Sequence, residues 1–331
     1  MAVISLDKWY WAAGILTEAP PNFSPEYIIR SVTIFISITA IFWSLISNRG
    51  TARPESSAGT CFEKASILSA LSISLVFVAL FIFKPATFST LSLEDNLIEW
   101  ASAILLFGSS IIVAASFLQS RNIAHPPRGT QLSTALLSLL FFVMAMEEVS
   151  WLQRVLEIET PKEFHANIQF ETNLHNFYTN PIENIYYFGT FLFLVMLPFF
   201  RFLFPAISNN DYLRIFVARP FVAVIGSIAC TYNFDMWNII FTQIAFFCSL
   251  LVLITFFLFG RSRVDKQIIL FAILIAVFSQ ILFLGNGELF ARSWEITEYR
   301  EFFIPLTLFI YSLDMFIHMK RLRLTEKSQQ T

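Results

Sequence analysis

Charged residues are scarce in this chain of 331 residues: Asp, Glu, Lys and Arg make up 14% of it, against roughly 25% in soluble globular proteins. Glycine is also scarce, with 10 residues against 39 phenylalanines, which excludes a collagen-like or low-complexity chain. The three cysteines are far apart, so neither a disulfide framework nor a zinc-finger array is encoded. A formal net charge of −2 excludes a general nucleic-acid binder, which would need a predominantly basic surface. With 56% hydrophobic residues, the composition predicts an integral membrane protein.

Apolar stretches of the length needed to cross a bilayer, about 20 residues, recur along the whole chain. We therefore expect an all-α bundle of about nine transmembrane helices that forms a single membrane domain over residues 1–331. The sixth span is the weakest, because Arg214, Arg219 and Pro220 crowd its start. The nine spans lie near residues 28–47, 65–83, 97–118, 131–150, 182–204, 213–232, 236–259, 266–286 and 302–319.

Three segments outside these spans have their own character. Residues 1–27 lack the long apolar core of a cleavable signal peptide, and their Trp and Tyr residues predict a segment that lies at the membrane interface. Residues 151–181 form a long loop, which we expect on the extracytoplasmic side. Residues 320–331 form a basic tail, which we expect in the cytoplasm.

The distribution of charge predicts the orientation. Most of the 22 lysines and arginines fall in alternate segments between the spans, beginning with the loop 48–64. The positive-inside rule places those segments in the cytoplasm, so the N-terminus is expected outside and the C-terminus inside. Most of the 24 acids fall on the opposite, outer side. This distribution supports the same orientation separately, because the positive-inside rule counts only basic residues.

The outer segment before the third span carries an acidic motif, Glu94-Asp95-Asn96, followed by Glu99. Asp95 and Glu99 are four residues apart and share a helix face. Two carboxylates on one face repel each other unless a cation, a proton or an arginine lies between them. The alternative is that these acids only stabilise the positive end of the helix dipole.

The end of the fourth span is the most informative stretch, with Glu147 and Glu148 directly after an apolar run. Acids at a helix C-terminus oppose the dipole, and acids at membrane depth usually mark a functional site or a buried pair. The functional hypothesis is a metal ligand, a general base or a proton carrier. The structural alternative is a salt bridge between Glu147 and Arg154, which lies seven residues later.

The loop from 155 to 181 holds two of the four histidines, His165 and His175. Loops of this length are often lids or binding loops. His175 and Asn176 stand just before the fifth span, where they are candidates for the site. For His165, a surface histidine without a role is the expected interpretation.

Acids near the ends of the last span form two groups. Glu295, Glu298 and Glu301 repeat every three residues on the outer side, which predicts a face that binds a cation or pairs with arginine, unless it is simply an exposed helix start. On the inner side, Asp314 and His318 are four residues apart. We expect them to form a structural anchor by pairing with each other or with Arg321.

Two resemblances follow from these motifs. Residues 147–154, with 160–161 and 173–176, resemble a family of uncharacterised bacterial polytopic membrane proteins that carry an E-E-[IV]-S-W-x-Q-R motif and a downstream L-H-N; residues 94–100 are similar to that family's E-D-x-x-x-E-W element. This resemblance covers about the central third of the chain and implies a multi-pass protein of the bacterial inner membrane, without supplying an activity. A fainter similarity, through the E-D-N element, is to alkaline-ceramidase-like intramembrane hydrolases. The chain lacks their H-x-x-x-H zinc pair, so their zinc chemistry does not carry over.

Three functions remain open. The favoured one is a hydrolase or transferase that acts at the extracytoplasmic face on a lipid or lipid-linked substrate, either by acid–base chemistry or through a divalent metal such as Mg²⁺, Mn²⁺ or Zn²⁺. The alternatives are a proton- or cation-coupled transporter or flippase and an assembly or scaffold subunit. The candidate residues are Glu147, Glu148, His175 and Glu99 for catalysis, Asp95, Arg154, Asn176, Trp151 and Glu295 for substrate binding, and Glu148, His175 and Glu298 for a metal.

Overall fold

The structure, a computed structural model, describes residues 18–48, 55–121, 123, 126–164, 172–173 and 179–330. Those residues form an all-helical protein without a β-strand. Eight of the described helices are long and apolar enough to cross a membrane. This agrees with the membrane protein expected from the composition.

The first half of the chain contains four of these long helices. They are α1 (Pro25–Ser47), α2 (Cys61–Phe83), α4 (Leu97–Ser120) and α5 (Thr130–Glu148), with a short helix α3 (Pro85–Leu91) after α2. Two short 3₁₀ turns follow α5, at Ser150–Leu152 and Lys162–Phe164.

The second half begins with α6 (Thr179–Phe191), which continues through a π-helical turn (Leu192–Met196) into α7 (Leu197–Leu203). The short helices α8 (Pro205–Asn209), α9 (Asp211–Phe216) and α10 (Pro220–Ala229) come next. The chain ends with α11 (Ile240–Phe259), α12 (Arg263–Gly285) and α13 (Glu295–Gln330), while 3₁₀ turns at Asp235–Asn238 and Gly287–Leu289 precede α11 and follow α12.

The prediction of a full-length sixth span at 213–232 is wrong. The helix found there, α10, has ten residues and is about 15 Å long, half of the ~30 Å hydrocarbon layer. Pro220 begins it, because proline disfavours helical geometry in the residue before it. Arg201 stabilises the break by donating hydrogen bonds from Nη1 to the carbonyl oxygens of Arg214 (3.1 Å) and Val217 (2.6 Å).

Helix α10 forms the centre of the bundle. All ten of its residues are buried, and it packs against α2, α7, α11, α12 and α13. Gly226 allows a close approach to the π-helical turn, because a Cβ atom at this position would lie 3.2 Å from Leu194 Cβ and from Val195 Cγ2. The most extensive helix contacts are those of α13 with α4 and of α4 with α5.

The bundle has two chemically different ends. The first residues of α4 and α13 and the last residue of α5 meet at one end, which we call the Glu298 end. The first residues of α2 and α12 meet at the other, which we call the Arg219 end. Helix α1 begins at the Glu298 end, because Arg30 in its second turn donates a hydrogen bond to the carbonyl oxygen of Asn238.

Candidate functional site

Arg154 holds the acidic motif that precedes α4. It donates hydrogen bonds from Nη2 to Glu94 Oε2 (3.2 Å) and from Nη1 to Asp95 Oδ2. The expected alternative, a salt bridge from Arg154 to Glu147, is therefore replaced: Glu147 Oε1 accepts a hydrogen bond from Trp151 Nε1 (2.7 Å). The side chain of Arg154 is 41% exposed, so this ion pair contributes about 1 kcal/mol or less.

Glu99 makes a hydrogen bond at the start of α4 and also lies beside other acids. Its Oε2 accepts a hydrogen bond from the backbone N–H of Asp95 (2.6 Å), so Glu99 itself caps the start of the helix, a role that the sequence favoured for Glu94 and Asp95 instead. It also interacts electrostatically with Glu148 and Glu298, which come from other helices. Glu99 therefore combines a structural contact with a position beside further acids.

Glu148 and Glu298 lie near each other although 150 positions of sequence separate them. Glu148 is the last residue of α5 and Glu298 stands in the first turn of α13. Both also interact electrostatically with Glu301, one turn further along α13. All three side chains are half-buried.

A second group of acids continues from Glu301. Glu183, in the second turn of α6, interacts electrostatically with Glu301, with Asp235 and with Glu18. Asp235 is 6% exposed, and burial raises its pKa to about 6 even though the N–H of Met236 hydrogen-bonds to its carboxylate. Burial also raises the pKa of Glu18.

Arg300 is a buried cation that interacts electrostatically with Glu183. It is 3% exposed, its Nη1 donates a hydrogen bond to Asn233 Oδ1 (3.0 Å), and its guanidinium carbon lies 4.1 Å from the centre of the Tyr187 ring. The Tyr187 hydroxyl in turn donates to Glu301. Gln280 completes the network by exchanging two hydrogen bonds of 2.9 Å with Asn233.

Sequence reasoning missed Arg300, Asn233, Gln280 and Tyr187 as members of this region. One signal was available: an arginine inside an apolar helix must find a partner, because an unpaired buried charge is very costly. The partners themselves lie on other elements, so the sequence alone does not identify them.

No described group donates a hydrogen bond to Glu148, Glu183 or Glu298. Glu183 interacts with Arg300 as well as with other acids, whereas the charged groups that interact with Glu148 and Glu298 are other carboxylates. Carboxyl groups placed this way can give and take protons.

Of the remaining predicted site residues, His175 and Asn176 fall outside the described residues. Glu295 is completely buried and faces Arg292, whose Nη2 lies 3.8 Å from Glu295 Oε2. Its two carboxylate oxygens accept no hydrogen bond from the described part of the chain.

The described part of the chain contains no metal site with three ligands. No group of three or more His, Cys, Asp and Glu side chains within it is arranged to hold a metal ion. Because His175 is outside that part, the set of Glu148, His175 and Glu298 stays a prediction.

At the Arg219 end, by contrast, the buried acids pair with an arginine. Arg219 donates from Nε to both oxygens of Asp314 (2.9 and 3.0 Å) and from Nη1 to Glu63. The hydrogen-bonded ion pair of Asp314 is thus with Arg219, from the loop before α10, rather than with the expected His318 or Arg321. We interpret this ion triad as a structural anchor that ties α2, α10 and α13 together.

Known proteins supply no template for the arrangement at the Glu298 end. The function is therefore inferred from the chemistry of the side chains described above. No protein-family model, no curated protein and no solved structure matches this chain.

Proposed function

We propose that the protein is a multi-pass protein of the bacterial inner membrane whose Glu298 end faces the extracytoplasmic side. The chain begins α1 at the Glu298 end and finishes α13 at the Arg219 end, so it crosses the bundle an odd number of times. Eight long helices alone would return it to its starting side. The passage from Arg219 to Asp235, through α10, supports a ninth crossing, and the basic residues near the Arg219 end support a cytoplasmic location.

We propose further that the Glu298 end is an active site for hydrolysis or group transfer on a lipid or lipid-linked substrate. The observation that carries this proposal is the placement of Glu148 and Glu298, from two different helices, beside Glu99 and Glu301. Glu298 stands three residues into α13, about 5 Å along the helix axis. That depth corresponds to lipid headgroups rather than to the membrane centre.

Access from the bilayer is consistent with a lipid substrate. Helix α5, which carries Glu148, packs chiefly against α4 and has no extensive contact with α6 in the described part of the chain. Leu136, Leu139 and Leu140 on α5 are exposed. We infer that a lipid approaches Glu148 along this exposed face of α5.

The proposed chemistry divides acid and base roles between two carboxyl groups. One of Glu148 and Glu298 gives a proton to the leaving group, and the other removes a proton from the attacking water or hydroxyl. Arg154, Trp151, Asp95 and Asn176 remain candidates for binding the substrate headgroup. A divalent ion held by Glu148, Glu298 and His175 is the metal-dependent form of the same proposal.

The test is a search for lipid turnover. The protein, purified in detergent, is incubated with a total extract of bacterial lipids and with polyprenyl-phosphate sugars, and mass spectrometry follows every lipid that is consumed. Glu148→Gln and Glu298→Gln should lower the rate about 100-fold or more. The matched control is Glu288→Gln, which neutralises an exposed acid at the same end and should leave the rate unchanged.

Two results would overturn the enzyme proposal. One is an intact lipid pool after incubation with wild-type protein, and the other is equal turnover by wild type and both glutamine variants. Metal analysis of the same preparations separates the two chemical forms, since a stoichiometric divalent ion that is lost in Glu148→Gln supports the metal-dependent one.

One observation favours transport as a second candidate. The backbone from 230 to 239 is buried without forming an α-helix, and Asn233, Gln280 and Arg300 are buried beside it. Transporters use interrupted helices of this kind at their binding sites. Movement of a lipid or cation across sealed proteoliposomes, driven by a pH gradient and without lipid turnover in detergent, would favour transport.

A further inference from the structure

The hairpin between α11 and α12 forms a basic pocket at the Arg219 end, on the opposite side of the bundle from the acids. The pocket has a volume of about 410 Å³ and is lined by Arg261, Arg263 and Lys266 together with Phe257 and Leu270. It is independent of the proposed active site. We propose that it binds the phosphate headgroup of an anionic phospholipid, whose acyl chain lies along the exposed face of α12.

The charge of the pocket is the first observation behind this proposal. No described carboxylate forms an ion pair with Arg263 or Lys266. The only acid nearby in sequence, Asp265, is buried on the other side of α12, where it lies 3.4 Å from Lys64 Nζ. Arg263 and Lys266 therefore present two cations without a carboxylate partner from the described part of the chain, which suits a phosphate ligand.

The backbone at the end of α11 leaves room for the Lys266 side chain at the pocket. Helix α11 ends at Gly260, where a Cβ atom would lie 2.9 Å from Lys266 Cγ. The missing side chain lets the Lys266 stem cross the end of α11, with its ammonium 5.9 Å from the centre of the Phe257 ring. Lys266 is half-buried and Arg263 is exposed, so the two cations stand at the floor and the rim of one opening.

The apolar surface below the pocket identifies a lipid as the occupant. Leu270 lines the pocket and is also the first of four exposed side chains spaced along one face of α12. The residues from Leu270 to Ile281 extend about 16 Å along the helix, close to the ~15 Å of one leaflet's hydrocarbon. These four are Leu270, Leu274, Phe278 and Ile281.

The test measures lipid binding directly. Native mass spectrometry follows the protein, purified in detergent, during titration with phosphatidylglycerol, phosphatidylcholine or inorganic phosphate. We expect phosphatidylglycerol to bind more tightly than phosphatidylcholine. Each cation near the membrane surface contributes about fivefold in affinity, so the double variant Arg263→Gln/Lys266→Gln should bind phosphatidylglycerol about 30-fold more weakly.

Two controls make the result specific to this pocket. Arg128→Gln removes an exposed cation before α5, and should keep wild-type affinity. The charge-preserving variant Arg263→Lys/Lys266→Arg should bind phosphatidylglycerol within about twofold of wild type, which separates loss of charge from loss of fold.

Four outcomes would overturn the proposal. They are unchanged binding by the double glutamine variant, an equal loss in Arg128→Gln, equal affinities for phosphatidylglycerol and phosphatidylcholine, and displacement of the lipid by millimolar inorganic phosphate. The last outcome would identify a site for free anions rather than for lipids.

Discussion

Asp235 should make the protein less stable as the pH rises through about 6. Its carboxyl group is buried beside Glu18 and Glu183, and burial raises its pKa from 3.8 to about 6. Because the folded state holds the proton more tightly than the unfolded state, the penalty is absent below pH 3.8, grows between the two pKa values and is complete above pH 6. A difference of about 2 pKa units corresponds to about 3 kcal/mol.

Asp235→Asn removes this penalty and keeps an oxygen that can accept the hydrogen bond from the Met236 N–H. Thermal unfolding in detergent at pH 5 and pH 8 is the assay. At pH 8 we expect the variant to unfold at a temperature about 6 °C above wild type, and at pH 5 the difference should be small. Asp211→Asn, which changes an exposed acid, serves as the control.

One result would refute the reasoning about Asp235. If Asp235→Asn is less stable than wild type at pH 8, the carboxylate is ionised and stabilising in the folded protein. The placement of buried acids beside one another, on which the candidate site rests, would then be wrong at this position.

Three further predictions concern the frame that supports the site. Arg219→Gln leaves two buried carboxylates without their cation and should cost about 3–5 kcal/mol of unfolding free energy. The control Arg214→Gln, which loses an exposed ion pair, should cost about 1 kcal/mol or less. Equal losses of stability in thermal unfolding would contradict the role of Arg219 as a structural anchor. Gly226→Ala should cost about 1–3 kcal/mol of unfolding free energy through overpacking. The control Gly189→Ala, where nothing lies within 4 Å of the added Cβ, should be neutral or stabilise the helix by up to about 1 kcal/mol. A neutral Gly226→Ala would exclude the close helix contact. Alkaline phosphatase inserted at 55–60 should be inactive in cells, and activity there would reverse the orientation.

Much of the fold was predictable from the sequence, because membrane-spanning length is a local property. The third span, expected at 97–118, is the helix Leu97–Ser120, and the seventh, expected at 236–259, contains Ile240–Phe259. The sixth span is not the full-length helix that its hydropathy predicts. Its apolar residues are buried by neighbouring helices rather than by lipid, and Arg201 satisfies the backbone that Pro220 interrupts.

The site was predictable only as a set of candidates. The position after an apolar run identified Glu148, since a carboxylate at membrane depth needs an explanation. The repeat of Glu295, Glu298 and Glu301 every three residues before the last span identified Glu298. Their partners depend on which helices pack together, and Arg154 illustrates this: its ion pairs are with acids about 60 positions away rather than with Glu147. Arg300 and Asn233 were missed for the same reason.

The central claim is that carboxylates from separate helices meet at the Glu298 end, and cross-linking tests it most directly. In a cysteine-free protein with a protease site inserted at 205–210, Glu148→Cys and Glu298→Cys are introduced together and treated with a short bifunctional thiol reagent. We expect the two fragments to stay joined after proteolysis, and the control pair Glu148→Cys with Glu288→Cys to separate. Separation of the first pair, although both of its cysteines react singly, would show that the two carboxylates do not meet at the Glu298 end.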